Sequence, residues 1–198
     1  MNLTFFIKSK TVILDKYTIK DVPGSSGRLD VISRCVLSAI LGRESFEKEV
    51  QIWVFLDRYG TYIFNPEFFN YETFPKNELL FTDYFVRVLR KRENIEDLHS
   101  NPLKSVNHSE IDLIESIKHF QKLKYNLYLL REQSKDFFNE LSSIKEKEKI
   151  VFIIGSQEDE YLNSNEILAL QIPTISLGSQ SYLASSVIRL LKLYILAL

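Results

Sequence analysis

The sequence is poor in residues that staple or ligate. Of 198 residues one is Cys and three are His, so no internal disulfide can form and no closed metal site is offered at ligand spacing. Only 6 Gly and 5 Pro are present, too few for a collagenous, repeat-built or Pro/Gly-rich disordered chain. A long apolar run is missing too. The most hydrophobic stretch, Val187 to Leu198, follows Ser185 and Ser186 and contains Arg189 and Lys192, short of the roughly 18 uncharged residues that a membrane span needs. Lys8 and Lys10 fall where a signal peptide would carry its apolar region, so an intracellular, cytoplasmic protein is expected. Nor is there an excess of one charge. With 25 Lys and Arg against 26 Asp and Glu, the formal net charge is −1, and nucleic-acid binding cannot be argued from the total.

What is present is a core. At 45% apolar and 26% charged, residues 1–198 suit one soluble globular domain. Charge is uneven locally: residues 1–43 hold Lys8, Lys10, Lys16, Lys20, Arg28, Arg34 and Arg43 against Asp15, Asp21 and Asp30, a candidate RNA-facing patch or a solvated face. Leu3 to Ile7 reads as a strand, Pro23 to Gly27 as a turn, and Leu29, Ile32, Val36 and Ile40 as one face of a helix with Ser26 at its N-cap and Gly42 at its C-cap. Val50 to Leu56 and Thr61 to Phe64 flank Asp57-Arg58-Tyr59-Gly60, a hairpin. Asn65 to Asn77 is a loop whose Phe68, Phe69, Tyr71 and Phe74 are expected to pack onto the core. Glu78 to Arg92 returns to a helix with Leu80, Tyr84, Val88 and Lys91 down one side. After Pro102, Ser109 is expected to cap a helix in which Ile111, Ile114, Ile117 and Leu123 face inward.

The remainder alternates strand and helix: Asn126 to Leu130, Lys135 to Ile144, Ile150 to Gly155, Glu158 to Leu170, Ile172 to Leu177, and Ser181 to Leu198. Such alternation predicts an α/β fold with a parallel sheet between helices, and the unbroken apolar run Val151-Phe-Ile-Ile154 suits burial on both faces. The last helix is apolar nearly all round, which predicts burial on several sides, in the monomer core or in a homodimer.

Two strands end in glycine turns, at Gly155 and Gly178. Ligands of open α/β sheets sit beyond the carboxyl ends of strands, and Gly there lets backbone approach the ligand. Neither turn is Gly-x-Gly-x-x-Gly or a P-loop, so a pyrophosphate site is disfavoured. In Asp21-Val-Pro-Gly-Ser-Ser-Gly-Arg-Leu-Asp30, Ser25 and Ser26 offer hydroxyls at a helix N-terminus and Arg28 a bidentate phosphate donor, with Asp30 one turn away; a capped helix with a paired Arg28 and Asp30 accounts for the same residues. His99, His108 and His119 have no nucleophile at a recognisable spacing, and Cys35 reads as a core residue.

The segment Asp21-Val-Pro-Gly-Ser-Ser-Gly-Arg-Leu-Asp-Val-Ile-Ser-Arg-Cys-Val-Leu-Ser-Ala-Ile40 resembles the N-terminal signature of the archaeal tRNA pseudouridine-N1 methyltransferases (TrmY) of the SPOUT superfamily. Tyr128-Leu-Leu-Arg-Glu132, Val151-Phe-Ile-Ile-Gly155 and Ile175-Ser-Leu-Gly178 with Tyr182-Leu-Ala184 resemble that family's three cofactor-side strands, in the same order. The resemblance implies a parallel sheet whose C-terminal segment forms a deep trefoil knot, over about residues 125–198, and a homodimer through the C-terminal helix. It implies S-adenosylmethionine held by Leu130, Gly155, Ile175, Leu177, Gly178 and Leu183, mainly through backbone groups. Methyl transfer to N1 of pseudouridine 54 in the tRNA T-loop is the activity implied. Arg28, with Ser25 and Ser26, would face the target nucleotide and its phosphate, and Asp30 would accept the N1 proton or orient the base. The family's Gly-Asp-His is here Gly155-Ser-Gln, and Ser181, Ser185 and Ser186 stand where it often has His. A ribosomal RNA target, or a noncatalytic knotted RNA-binding dimer, are the rival readings.

Overall fold

The computed structural model describes residues 1–90, 100–155 and 159–196; Lys91, Arg92, His99, Ala197, Leu198 and the segment 156–158 named above lie outside them. Strands β1 (Asn2–Ser9), β2 (Val50–Leu56), β3 (Gly60–Phe64), β4 (Asn107–Ser109), β5 (Asn126–Asp136), β6 (Lys149–Ile154) and β7 (Thr174–Ser176) form one sheet in the order β4-β3-β2-β1-β6-β5-β7. From β2 to β7 the neighbours are parallel, as expected of the alternating half. β3 and β4 extend the sheet antiparallel, because the turn at Asp57–Gly60 is too short for a crossover and must return the chain beside β2.

Among the described residues seven α-helical segments cover the two faces: α1 (Val22–Ser25), α2 (Leu29–Ile40), α3 (Glu78–Arg90), α4 (Leu113–Lys122), α5 (Phe137–Lys145), α6 (Asn165–Ala169) and α7 (Ala184–Leu196). Side chains alternate across each strand. Leu3, Phe5 and Ile7 of β1 and Ile150, Phe152 and Ile154 of β6 enter a core shared with α2, α3, α5 and α7. Phe6, Val151 and Ile153 enter a second core with α4 and α6. Both faces of β1 and β6 are thus dry, which is why these strands are apolar without alternation. None of the described helices is long and apolar enough to cross a membrane.

Several expected boundaries move. Pro23 and Gly24 lie in the single turn of α1, not in a bare turn. The helix α2 ends at Leu41 in extended conformation, and the chain continues through a bridge between Leu41 and Phe46 rather than a left-handed Gly42. α3 buries Phe81, Thr82, Phe85, Val86 and Leu89, and leaves Leu80 52% exposed; the expected face is about one residue out of phase. Asp112, not Ser109, caps α4 through a reciprocal capping box with Glu115, and Ser109 belongs to β4. Leu123 is exposed beyond the end of α4. The expected helix over 158–170 is broken into a 3-10 segment, Asp159–Asn163, and α6, because the Ser164 hydroxyl caps a new start.

The two charges of α7 have a structural use. Lys192 Nζ donates to the carbonyl oxygens of Ala39 (3.2 Å) and Leu41 (2.5 Å), and Arg189 Nε donates to Ser38 Oγ at 3.1 Å. A cation at the C-terminal end of α2 satisfies carbonyls that the helix cannot. Burial pulls the Lys192 ammonium below its ordinary value, and Glu47, 3.6 Å away, opposes that shift. Ile188, Leu191 and Ile195 fill the monomer's own core, while Leu193 on the opposite side is 57% exposed.

Candidate functional site

The carboxyl ends of β5, β6 and β7 open into a cavity of about 500 Å³, within the range of small-molecule sites. Leu130, Gly155, Leu177 and Gly178, all named from sequence, line it. Two other expected residues do not. Ile175 pairs with both Leu130 and Lys135, and its side chain is buried in the first core. Leu183 is 66% exposed outside the lining. Period-two alternation sets the Ile175 side chain on the face opposite that of Ser176, which lines the cavity, while Leu177, beyond the end of β7, both lines the cavity and packs against the first core.

The floor is organised by Ser176. Its Oγ lies 2.8 Å from the Glu132 carbonyl oxygen and 2.9 Å from that of Gly178, and it accepts the Gly178 N–H at 3.1 Å. This ties the β7 turn to β5. Gly178 itself has φ +112, a conformation that side chains resist, and a Cβ there would meet nothing within 4 Å. The turn therefore presents bare backbone to open space.

Arg131 was quoted in the sequence motif but given no role, and it lines the same cavity. Its Nη2 donates to the Leu162 carbonyl at 2.7 Å, while its Nε is buried with no partner. The signal that would have found it is its place one residue past Leu130, where the sequence ends the strand and where the β5–β7 ladder is interrupted.

At the other end of the chain, the turn before α2 is tightly specified. Gly27 (φ +58) and Arg28 (φ +68) are both left-handed, and a Cβ on Gly27 would collide with the Thr11 carbonyl. The hydroxyls expected to meet an anion are committed to the backbone. Ser25 Oγ donates to Asp21 O (2.5 Å) or Thr18 O (3.1 Å) and accepts the Thr18 N–H (2.9 Å). Ser26 Oγ, fully buried, donates to Val22 O (2.6 Å) and accepts the Leu29 N–H (3.0 Å); it thus holds the first N–H of α2, but the N-cap position is Arg28 and not the expected Ser26.

Arg28 Nε and Nη2 donate to the two oxygens of Asp30 at 3.0 and 3.1 Å, and Arg34 Nη2 donates to Oδ2 at 2.9 Å. Arg34 Nε also lies 3.7 Å from Glu78. The Asp30 side chain is only 3% exposed, against 40% for Arg28 and 34% for Arg34. A buried carboxylate thus holds two half-exposed guanidiniums side by side, and the hydrogen bonds that Arg28 donates to Asp30 raise its already high pKa. Arg34 had no role in the motif reading, although its i,i+4 spacing from Asp30 signals the pair.

Other candidates resolve into structure. Cys35 is buried, and burial pushes its thiol up to about 12, as a core residue requires. His108 packs edge-on against Tyr62 and sits 3.2 Å from the Tyr59 carbonyl. His119 packs against Phe120. Phe69, Tyr71 and Phe74 join Phe46, Phe64 and Phe81 in edge and stacked contacts, as expected of a loop packed on the core, whereas Phe68 is half exposed. Within the basic patch Lys8 pairs with Asp57 at 2.7 Å, and Lys10, Lys16, Lys20 and Arg43 are exposed. Among the described residues no group of His, Cys, Asp and Glu could hold a metal ion.

A family model described as "Putative SAM-dependent RNA methyltransferase" matches residues 2–197. A Thermococcus onnurineus protein named tRNA (pseudouridine(54)-N(1))-methyltransferase is 25% identical over 201 residues, spanning 97% of this chain and 96% of that relative. A Pyrococcus abyssi protein of the same name is 26% identical over 203 residues, spanning 96% of each. Archaeoglobus fulgidus Nep1 bound to S-adenosylhomocysteine matches in structure with a TM-score of 0.61 at 16% identity, covering 98% of this chain and 97% of that one, a likeness of fold.

Proposed function

The chain belongs to the family of SAM-dependent RNA methyltransferases, and on that premise we propose that it methylates N1 of pseudouridine 54 in the T-loop of cytoplasmic tRNA. The observation that carries this reading is the cavity at the ends of β5, β6 and β7, joined to relatives of that name along nearly the whole chain. The residues present fit S-adenosylmethionine. Gly155, Leu177 and the open Gly178 turn can meet it with backbone, Leu130 with an apolar wall, and the orphaned Arg131 Nε marks a polar group awaiting an acceptor. When bound, the cofactor supplies an activated sulfonium methyl, so the protein's main task is to position the nucleophile in line with it.

Pseudouridine alone offers a free imide N–H at N1, because its glycosidic bond is to carbon, and selectivity follows from presenting that edge. Of the two roles open to Asp30, accepting the N1 proton or orienting, the geometry favours orienting, because three N–H groups from two guanidiniums already occupy its oxygens. Arg28 and Arg34, held parallel by it, would clamp a phosphate of the target loop. Ser25 and Ser26 shape this turn rather than touch RNA. The exposed lysines of residues 10–20 and Arg43 would add salt-dependent affinity.

We further propose the SPOUT trefoil knot over the last three strands and a homodimer through α7. Leu191, buried in the monomer, is not the interface residue; Leu193, Leu183 and Phe138, at 57%, 66% and 47% exposure, are the apolar groups left for a partner. Leu193→Glu is expected to convert a dimer into a folded monomer in sedimentation, and an unchanged mass refutes the interface.

The function is tested by incubating the protein with S-adenosylmethionine and a pseudouridine-containing T-loop RNA, followed by nucleoside mass analysis. One added methyl on pseudouridine, absent from an unmodified uridine loop, is the expected result. Methylation confined to a ribosomal hairpin overturns the tRNA assignment, and cofactor and RNA binding without transfer overturns the enzyme.

A further inference from the structure

β5 pairs with β7 at Leu129 and Leu130 and again at Lys135 and Asp136, and Ile175 faces both Leu130 and Lys135. The four residues Arg131 to Ser134 are thereby left out of that ladder, in an excursion beside the cavity. Such irregularities re-aim side chains next to sites. Arg131 opens the excursion, and among the described residues its guanidinium is anchored through Nη2 on the Leu162 carbonyl. Its Nε is buried without an acceptor. No ion pair joins it to a carboxylate among the described residues; Glu132, the other charged lining residue, is exposed. A half-buried cation with an unsatisfied donor is costly unless a ligand completes it.

We propose that Arg131 recognises the α-carboxylate of the methionine portion of S-adenosylmethionine, an inference that rests on the cofactor reading above. The ligand's sulfonium and ammonium are cationic and would be repelled by a guanidinium. Its carboxylate is its one anionic group, and the planar fork of Arg matches it bidentately. The anchor on Leu162 holds the fork in place, so Arg131 specifies which end of the cofactor enters first.

Calorimetry with two ligands isolates this contact. S-adenosylhomocysteine carries the amino-acid end, whereas 5′-methylthioadenosine keeps the adenine, ribose and thioether and lacks it. Wild-type protein is expected to prefer S-adenosylhomocysteine. Arg131→Met, which keeps the packing of the stem, should weaken S-adenosylhomocysteine about 10- to 100-fold and leave 5′-methylthioadenosine little changed. Arg131→Lys should keep part of the preference, and it decides the matter if Arg131→Met does not fold. Equal losses for both ligands make Arg131 a prop for Leu162 and overturn the proposal. So does an unchanged preference, a wild type with none, or an effect seen only on RNA affinity, which would place a phosphate there. Wild-type protein that binds neither ligand refutes the cofactor reading itself, whereas binding of both with no response to Arg131 refutes only this inference.

Discussion

At the start of α2 one buried carboxylate and two guanidiniums are closed on one another, whereas at the ends of β5, β6 and β7 a guanidinium keeps a buried donor unused and a glycine turn faces open space. The first corner is complete without a ligand, whereas the second, on the reading proposed above, is completed by a bound cofactor. A self-satisfied cluster can present charge to a large, exposed partner such as RNA at no desolvation cost, while a small ligand held in a cavity needs donors left vacant for it.

The most severe way to break this contrast is to fill the open turn. Gly178→Val places an isopropyl group in the space the ligand would use, and S-adenosylhomocysteine affinity is expected to fall by at least about 100-fold. A Cβ at this position meets no protein atom within 4 Å, but φ +112 strains a β-branched residue, so the melting temperature should fall as well, and affinity is compared on the folded protein below that temperature. Retained affinity in calorimetry places the cofactor elsewhere.

Asp30→Asn attacks the closed corner. With its counter-charge gone, the arginine pair should cost about 2 kcal/mol, or roughly 4–8 °C in melting temperature, and RNA affinity should drop about ten-fold as the clamp splays. Cofactor affinity should hold. Single-turnover transfer measured beside the melting curve separates the roles, because a stability loss with normal turnover by the folded remainder makes the corner purely structural.

A sharper cut removes one cation and leaves the carboxylate paired. Arg34→Ala, with Arg28 still bidentate on Asp30, should weaken RNA binding a few-fold and lower its salt dependence by about one phosphate contact. An unaltered salt slope would mean that Arg34 serves only Asp30 and Glu78.

The smallest effect is expected from Ser26→Ala. The hydroxyl bonds only backbone, so the change should cost about 1 kcal/mol, as for a lost helix cap, and leave RNA affinity untouched. Lost affinity at unchanged stability would restore the anion-binding role that the motif suggested for it.

Much of the fold could be read directly. The strands at 2–9, 50–56 and 149–154, the hairpin at Asp57–Gly60 and the helix through Leu29 and Ile40 follow from apolar spacing and turn chemistry, which are local. The misread face of α3 came from choosing between adjacent apolar residues, Leu80 or Phe81, which packing against α2 decides, and the misplaced cap of α4 from choosing between two nearby polar ones, Ser109 or Asp112, which the pairing of Ser109 with Thr61 decides. At the cavity, Gly155 and Gly178 were legible because strand ends followed by glycine place backbone at a cleft, and Leu130 and Leu177 through the resemblance of their strands. That Ile175 falls outside the lining depends on register, and the commitment of the Ser25 and Ser26 hydroxyls was hidden because a free hydroxyl and one bonded to the backbone look alike in sequence.

The sequence by itself determined the family, through the long segment Asp21 to Ile40 and the three strand ends, and with it the class of reaction, because composition and motif are properties of the chain in order. Packing across elements is what puts Lys192 and Arg189 at the end of α2 and leaves Arg131 with a donor to spare. Each of these depends on which groups meet across elements and which are left without a partner, and hydrogen-bond satisfaction is a property of the assembled interior that no local pattern encodes.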